Sequence, residues 1–112
     1  MDKTIFGRII DREIPATIVH EDELCVAFED VHPVAPTHVL VVPRKPIDRV
    51  SSASEADEKL LGHLLTTAAS IAKARGIADF RLVTNNGAGA GQSVFHLHVH
   101  LIAGRKLGWP PG

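Results

Sequence analysis

The chain has 112 residues, a net charge of −1, 45% hydrophobic and 22% charged residues, which fits one folded domain over 1–112 and excludes a disordered segment or a non-specific nucleic-acid binder. Its single cysteine, Cys25, excludes an internal disulfide or a paired-cysteine metal knuckle and suits a reducing compartment. No apolar run is long enough to span a membrane, and Met1-Asp2-Lys3-Thr4 does not open a secretion signal, so a cytoplasmic protein without membrane contact is expected.

In chain order, Ile5-Phe6, Ile9-Ile10 and Ile14 recur at helical spacing. They predict a short amphipathic helix over 4–12, ended by Pro15. Thr17–His20 and Leu24–Phe28 read as two strands around the polar turn Glu21-Asp22-Glu23. A Pro-rich loop over 32–37 leads into a third strand, His38–Val42, stopped by Pro43. Ser54 opens a long helix, with Asp57 in an imperfect capping-box position and Gly76 as its C-terminal stop. Leu61, Leu64, Leu65, Ala68, Ile71 and Ala72 form the buried stripe of that helix. Phe80–Val83 is a fourth strand, 85–92 a Gly-rich loop, and His96–Ile102 a fifth strand. Short connections between strands, plus two helices, predict an α+β fold on an antiparallel sheet.

The last strand is the most informative. His96, His98 and His100 alternate with Leu97, Val99 and Leu101. A period of two places the imidazoles on one face, about 6.5–7 Å apart, with the apolar residues in the core. Such a face could be a solvated surface that happens to carry histidine. It could be a zinc site with a third ligand from elsewhere, although no cysteine pair or helical His-Glu-x-x-His run accompanies it. The third reading is phosphorus chemistry. Asn85-Asn86-Gly87-Ala88-Gly89-Ala90-Gly91-Gln92-Ser93 leads directly into the histidines, and small residues let backbone N–H groups surround an anion. Neutral imidazole attacks a phosphate ester or amide without the repulsion an anionic nucleophile meets. The middle histidine is the natural nucleophile, a second group must protonate the leaving amine or alcohol, and no metal is required.

With these residues in view, the chain resembles the histidine-triad (HIT) family, and more narrowly its Hint branch of nucleoside phosphoramidases. The resemblance covers nearly the whole chain. It is carried by Ile5-Phe6-Gly7-Arg8-Ile9-Ile10, Glu13-Ile14-Pro15-Ala16, Ala35-Pro36-Thr37-His38, Leu60-Leu61-Gly62-His63, Gly91-Gln92-Ser93-Val94, the three histidines, and Trp109-Pro110-Pro111-Gly112. It implies a homodimer whose two five-stranded sheets join into ten strands. It implies hydrolysis of the P–N bond of purine nucleoside 5′-phosphoramidates through a nucleotidyl-histidine, without a cofactor or metal. His98 is the implied nucleophile, His100 binds the phosphate, and His96 and His38 orient neighbours and move protons. Asn85, Gly91, Gln92 and Ser93 would line the phosphate, with Ser93 near the leaving group. Asp30 would hold the ribose hydroxyls. Phe6, Ile9, Phe28, Val31 and Leu40 would form the base pocket, and Trp109 would shape the leaving-group side across the dimer.

Read from periodicity alone, Phe6, Ile9, Phe28 and Leu40 are core, Asp30 is a turn acid, and Cys25 is a small buried hydrophobe. Nothing in the sequence brings His20, His32 or His63 to the triad. Some bacterial relatives carry an N-terminal cysteine pair that helps bind zinc; Thr4 and Gly7 stand in those places here. Glu29 adds a negative charge beside the ribose acid, and no appended domain is expected after Gly112. A nucleotide-binding regulatory module, a dinucleoside polyphosphate hydrolase and a zinc-dependent hydrolase remain the alternatives.

Overall fold

The computed structural model describes residues 3–112. Five antiparallel strands form one sheet in the order β1-β2-β3-β5-β4, from β1 (Ile18–Glu21), β2 (Cys25–Glu29), β3 (Thr37–Pro43), β4 (Phe80–Val83) and β5 (Val99–Ala103). The long helix α2 (Glu58–Ala74) covers one face and the short helix α1 (Ile5–Ile10) packs on the other. The α+β reading, with its antiparallel five-stranded sheet and two helices, is therefore observed.

Strand alternation separates the two faces. Cys25, Ala27, Val39, Val41, Val99 and Leu101 join Leu64, Ala68, Ile71 and Ala72 of α2 in one buried cluster. Val26, Phe28, Leu40 and Val42 join Phe6 and Ile9 of α1 in the other. The central strand β3 is buried throughout because both of its faces are covered. Burying a side chain such as Leu64 or Leu101, both fully enclosed, contributes about 1.5–3 kcal/mol.

Local chemistry sets the element ends. Thr4 caps α1 by accepting from the N–H of Gly7. The Ser54–Asp57 capping box is complete, but it opens a 3-10 turn over Glu55–Asp57, and α2 begins only at Glu58. Helix α2 ends in a Schellman arrangement: Gly76 takes φ +71°, its N–H reaches the carbonyl of Lys73, and the N–H of Ile77 reaches that of Ala72.

The fifth strand differs from its expected bounds. Paired β5 begins at Val99, so His96, at the end of a bend, and Leu97 and His98 lie outside the ladder. Their backbone groups find other partners. The N–H of Leu97 donates to Ile47 at 2.7 Å, and the hydroxyl of Thr84 donates to the carbonyl of His98 at 2.8 Å. The facing survives: Leu97, Val99 and Leu101 all enter the α2-side core.

Gly104 turns the chain after β5 at φ +99°, and a Cβ there would meet the Pro36 side chain at 2.8 Å. Gly62, inside α2, has open space around it. We expect Gly104→Ala to lower unfolding free energy by about 1–3 kcal/mol and Gly62→Ala to raise it by about 0.5–1 kcal/mol in urea titrations. Equal effects from the two would contradict this packing.

Candidate active site

The α1 side of the sheet opens into a cavity of about 380 Å³. Its apolar walls include Phe6 and Ile9 from α1, Phe28 from β2, Leu40 from β3 and Val31 from the following loop. Asp30, Ser93, His98 and His100 line the same space. Ile5, Ile14, Pro15, Ala16, Glu29, His32 and Val94 complete the wall, although sequence reasoning had assigned none of them to a pocket. A larger open groove of about 740 Å³ lies at the far end of β4 and holds no histidine. The imidazoles of His98 and His100 converge on the smaller cavity.

The hydrogen bonds fix where each imidazole carries its proton. A carbonyl can only accept. His98 Nδ1 lies 2.8 Å from the His96 carbonyl, so Nδ1 donates and the Nε2 lone pair is free of protein partners. His96 Nε2 lies 2.7 Å from the Pro43 carbonyl and donates there, leaving Nδ1 to face the Thr4 hydroxyl at 3.5 Å. The N–H of Val34 donates to His38 Nδ1 at 3.1 Å, which places the His38 proton on Nε2. That N–H points at His100 Nδ1, 2.9 Å away, and lies 3.4 Å from Asp30 Oδ2. His100 Nδ1 therefore accepts, and its own proton sits on Nε2. The result is a lone pair on His98 beside an N–H donor on His100, with ring centres 4.9 Å apart.

This is closer than the 6.5–7 Å expected from ideal strand spacing. The shortening accompanies the break in pairing at Val99, which frees the rings from strict strand geometry. The Phe6 ring edge packs at 4.9 Å from the His98 ring and supports it from the α1 side.

Burial sets the charge state. Desolvation holds His96 and His98 below the ordinary imidazole value. It pushes His100 to about 4, and the neighbouring His98 and His38 act in the same direction. These three rings are neutral at pH 7.

Other assigned residues lie elsewhere. Gln92 is buried, but its side chain staples the Gly-rich loop: Oε1 accepts from Gly87, and Nε2 donates to the carbonyls of Asp48 and Val94. The N–H groups of Ala90, Gly91 and Gln92 are also occupied within the loop, so the expected nest of free donors is not formed there. Asn85 packs near Gly91. None of Asn85, Gly91 and Gln92 lines the cavity wall; the loop reaches it through Ser93 and Val94. Trp109 is 84% exposed and does not line the cavity of its own chain.

Sequence reasoning missed Thr4, Val34 and Pro43 as partners of histidines. Thr4 carried a signal, because a threonine before an apolar helix is a cap; the backbone partners carried none.

Comparison with known proteins decides the family. A profile of the HIT domain matches residues 11–107. The chain belongs to the HIT family. It is 58% identical over 112 residues to an uncharacterised HIT-like protein of Synechocystis sp., covering 99% of this chain and 98% of that protein. It is 48% identical over 113 residues to a 14 kDa zinc-binding protein of Zea mays, covering 97% of this chain and 88% of that protein. The crystal structure of a HIT family hydrolase from Legionella pneumophila superposes with a TM-score of 0.95 at 43% identity, covering 98% of this chain and all of that one. A histidine triad protein from Clostridium difficile gives a TM-score of 0.91 at 40% identity, covering 96% and 97%.

Among the described residues of this HIT protein, Asp30, His38 and His100 also come within ligand distance of one another. They fit a cation poorly. The Val34 N–H occupies His38 Nδ1, and the nitrogen facing Asp30 and His100 carries a hydrogen rather than a lone pair.

The depressed imidazole values have a consequence for stability. Below pH 6.5 the unfolded chain binds protons that the folded His96, His98 and His100 resist. Folding stability therefore falls as pH drops from 6.5 towards 4. Urea titrations across that window should show the loss, and His100→Gln should show a shallower slope than the wild type. A slope unchanged by His100→Gln would contradict the buried, neutral ring.

Proposed function

We propose that this HIT protein is a nucleoside phosphoramidase that hydrolyses the P–N bond of purine nucleoside 5′-phosphoramidates, and that it does so without a catalytic metal. The observation that carries the reading is the unengaged Nε2 lone pair of His98 beside the N–H of His100, at the mouth of an apolar cavity. A hydrolase of the same fold at 43% identity supports the general class of reaction.

The cavity takes a purine between Phe6, Ile9, Phe28 and Leu40, and the Asp30 carboxylate accepts from the ribose hydroxyls. In this proposed pose the α-phosphorus lies at His98. The His98 Nε2 lone pair forms a bond to phosphorus as the P–N bond to the amine breaks. The His96 carbonyl, already bonded to Nδ1–H, stabilises the positive charge that develops on the ring. His100 Nε2–H donates to a phosphoryl oxygen, with His38 and Asp30 holding its tautomer from behind. The Ser93 hydroxyl, on the cavity wall, passes a proton from solvent to the departing amine. Water then attacks phosphorus, the P–N bond to His98 breaks, and the nucleoside monophosphate leaves with the lone pair restored. Asn85, Gly91 and Gln92 support Ser93 through the loop.

Zinc binding in the maize relative is a property of that protein. Here Thr4 stands beside His96 where a thiolate would be needed, which favours the metal-free route. We further propose that the protein works as a homodimer in the cytoplasm. The free edge of β4 would extend the sheet to ten strands, and Trp109 would reach the partner's leaving-group side. No helix among the described residues is long and apolar enough to cross a membrane.

The purified protein should release AMP from adenosine 5′-phosphoramidate at a rate unchanged by EDTA. His98→Ala should reduce turnover about a thousandfold or more while retaining the fold and AMP binding. Turnover retained in His98→Ala, or abolished by EDTA, would contradict the mechanism. A folded wild type that binds AMP without turnover would leave a nucleotide-binding module.

A further inference from the structure

A second cluster of ligating side chains lies on the opposite face of the sheet, at the turn between β1 and β2. Its centre is Asp22 Oδ2. His20 Nε2 and His63 Nε2 each lie 2.7 Å from this one oxygen, and Cys25 Sγ lies 3.6 Å from it. The ligand atoms of His20, Asp22 and Cys25 all lie within 4.8 Å of one another, and His63 of α2 joins them through the shared Asp22 oxygen.

The fold makes this juxtaposition by a specific device. Strands β1 and β2 slip register at Val19: Ile18 pairs with Phe28, but His20 pairs with Ala27. Directly paired residues share a face. Ile18 therefore faces α1 with Phe28, and the bulge turns His20 to the α2 side with Ala27. Without the bulge His20 would follow Ile18 to the other face. On the α2 side it meets His63, one turn before Thr67, whose hydroxyl lies 3.8 Å from Cys25 Sγ.

The carboxylate is held ready. Asp22 Oδ1 accepts from the N–H groups of Leu24 at 2.8 Å and Cys25 at 2.9 Å, which fixes the carboxylate plane and leaves Oδ2 for the cluster. Burial opposes its ionisation, but the two histidines and these N–H groups outweigh that and hold it below the usual carboxylate range. Cys25 lies fully buried beneath the cluster, and burial raises its thiol to about 11. Arg44 is the nearest cation: its Nε donates to the Asp22 carbonyl at 2.7 Å, and its guanidinium is partly offset by Glu21 at 3.7 Å.

We propose that His20, Asp22 and Cys25 form the core of a tetrahedral site for a zinc-type divalent cation, with His63 drawn in from its bond to Asp22 as the fourth ligand, so that the ion ties the β1–β2 turn to α2. The chemistry suits such an ion: nitrogen, sulfur and one monodentate oxygen are the ligands zinc takes, and they do not suit magnesium or calcium. Ligand atoms around tetrahedral zinc sit roughly 3.3–3.7 Å apart, from bond lengths of about 2.0–2.3 Å. The sulfur-to-oxygen separation of 3.6 Å already matches. Both imidazoles are partly exposed and free to adjust: each must move back from Asp22 by roughly half an ångström, and His63 must also swing towards His20 and Cys25. Nε2 of His20 and His63 now donates to Asp22, but neither Nδ1 has a hydrogen-bond partner among the described residues, so each ring can carry its proton on Nδ1 and turn the Nε2 lone pair to the metal, a shift that Val34 denies to His38. Binding releases the thiol proton to solvent as the sulfur–metal bond forms, so affinity rises with pH. The site is separated from the phosphoramidase cavity by the sheet itself and is independent of the reaction proposed there.

The test uses cobalt(II) as the probe. Cys25 is the single cysteine of the chain, so a sulfur-to-cobalt charge-transfer band reports this site alone and is blind to the histidines of the cavity. Metal-free protein at pH 8 should take up one cobalt per chain, with a near-ultraviolet charge-transfer band and the intense visible bands of tetrahedral geometry. Zinc should displace both. The charge-transfer band should vanish in Cys25→Ser, and cobalt affinity at this site should fall roughly tenfold or more in His20→Gln and in His63→Gln, each with unchanged circular dichroism. A folded wild type that shows no such band overturns the proposal. So does a band whose affinity is unchanged in either histidine variant.

Discussion

The hydrogen bond from His98 Nδ1 to the carbonyl of His96 organises the histidine face of the cavity. It exists because the chain leaves the sheet ladder before Val99. Inside a ladder the His96 carbonyl would be committed to a neighbouring strand. Outside it, the carbonyl is available to a side chain two residues on, and the imidazole is locked with its lone pair outward. The Leu97 N–H and the His98 carbonyl find partners at some distance in sequence, Ile47 and Thr84. No buried side-chain nitrogen or oxygen among the described residues lacks a partner.

A second relay runs behind the first. Val34 N–H sets the His38 tautomer, His38 sets that of His100, and Asp30 lies beside the link. One ring presents a lone pair and the next presents a donor, although the two are chemically identical residues on the same strand approach. Burial keeps both neutral. The distinction between the ring that presents a lone pair and the ring that presents a donor thus comes from hydrogen-bond partners, not from residue type.

Much of this was legible in the sequence, and the reason is periodicity. Alternation gave the facing of His96, His98 and His100 against Leu97, Val99 and Leu101, and helical spacing gave the stripe of α2. Resemblance added the apolar wall of Phe6, Ile9, Phe28, Val31 and Leu40, which periodicity alone would leave as core. The strand start at Val99 was not legible, because backbone pairing depends on where Ile47 and Thr84 arrive in space. Nor was the role of Gln92, which looks like a phosphate ligand beside glycines but holds the loop together internally. His20 and His63 looked unrelated, being separated by strands β2 and β3 and the start of α2. A one-residue bulge at Val19, invisible in composition, is what brings them to the same carboxylate.

The account stands on the tautomers, and they can be observed directly. Long-range proton–nitrogen correlation spectra of nitrogen-15-labelled protein at pH 7 resolve each ring's protonated nitrogen. The account predicts His98 protonated at Nδ1 only, and His38, His96 and His100 protonated at Nε2. A His98 ring carrying its proton on Nε2, or doubly protonated at pH 7, would remove the nucleophile and contradict the mechanism.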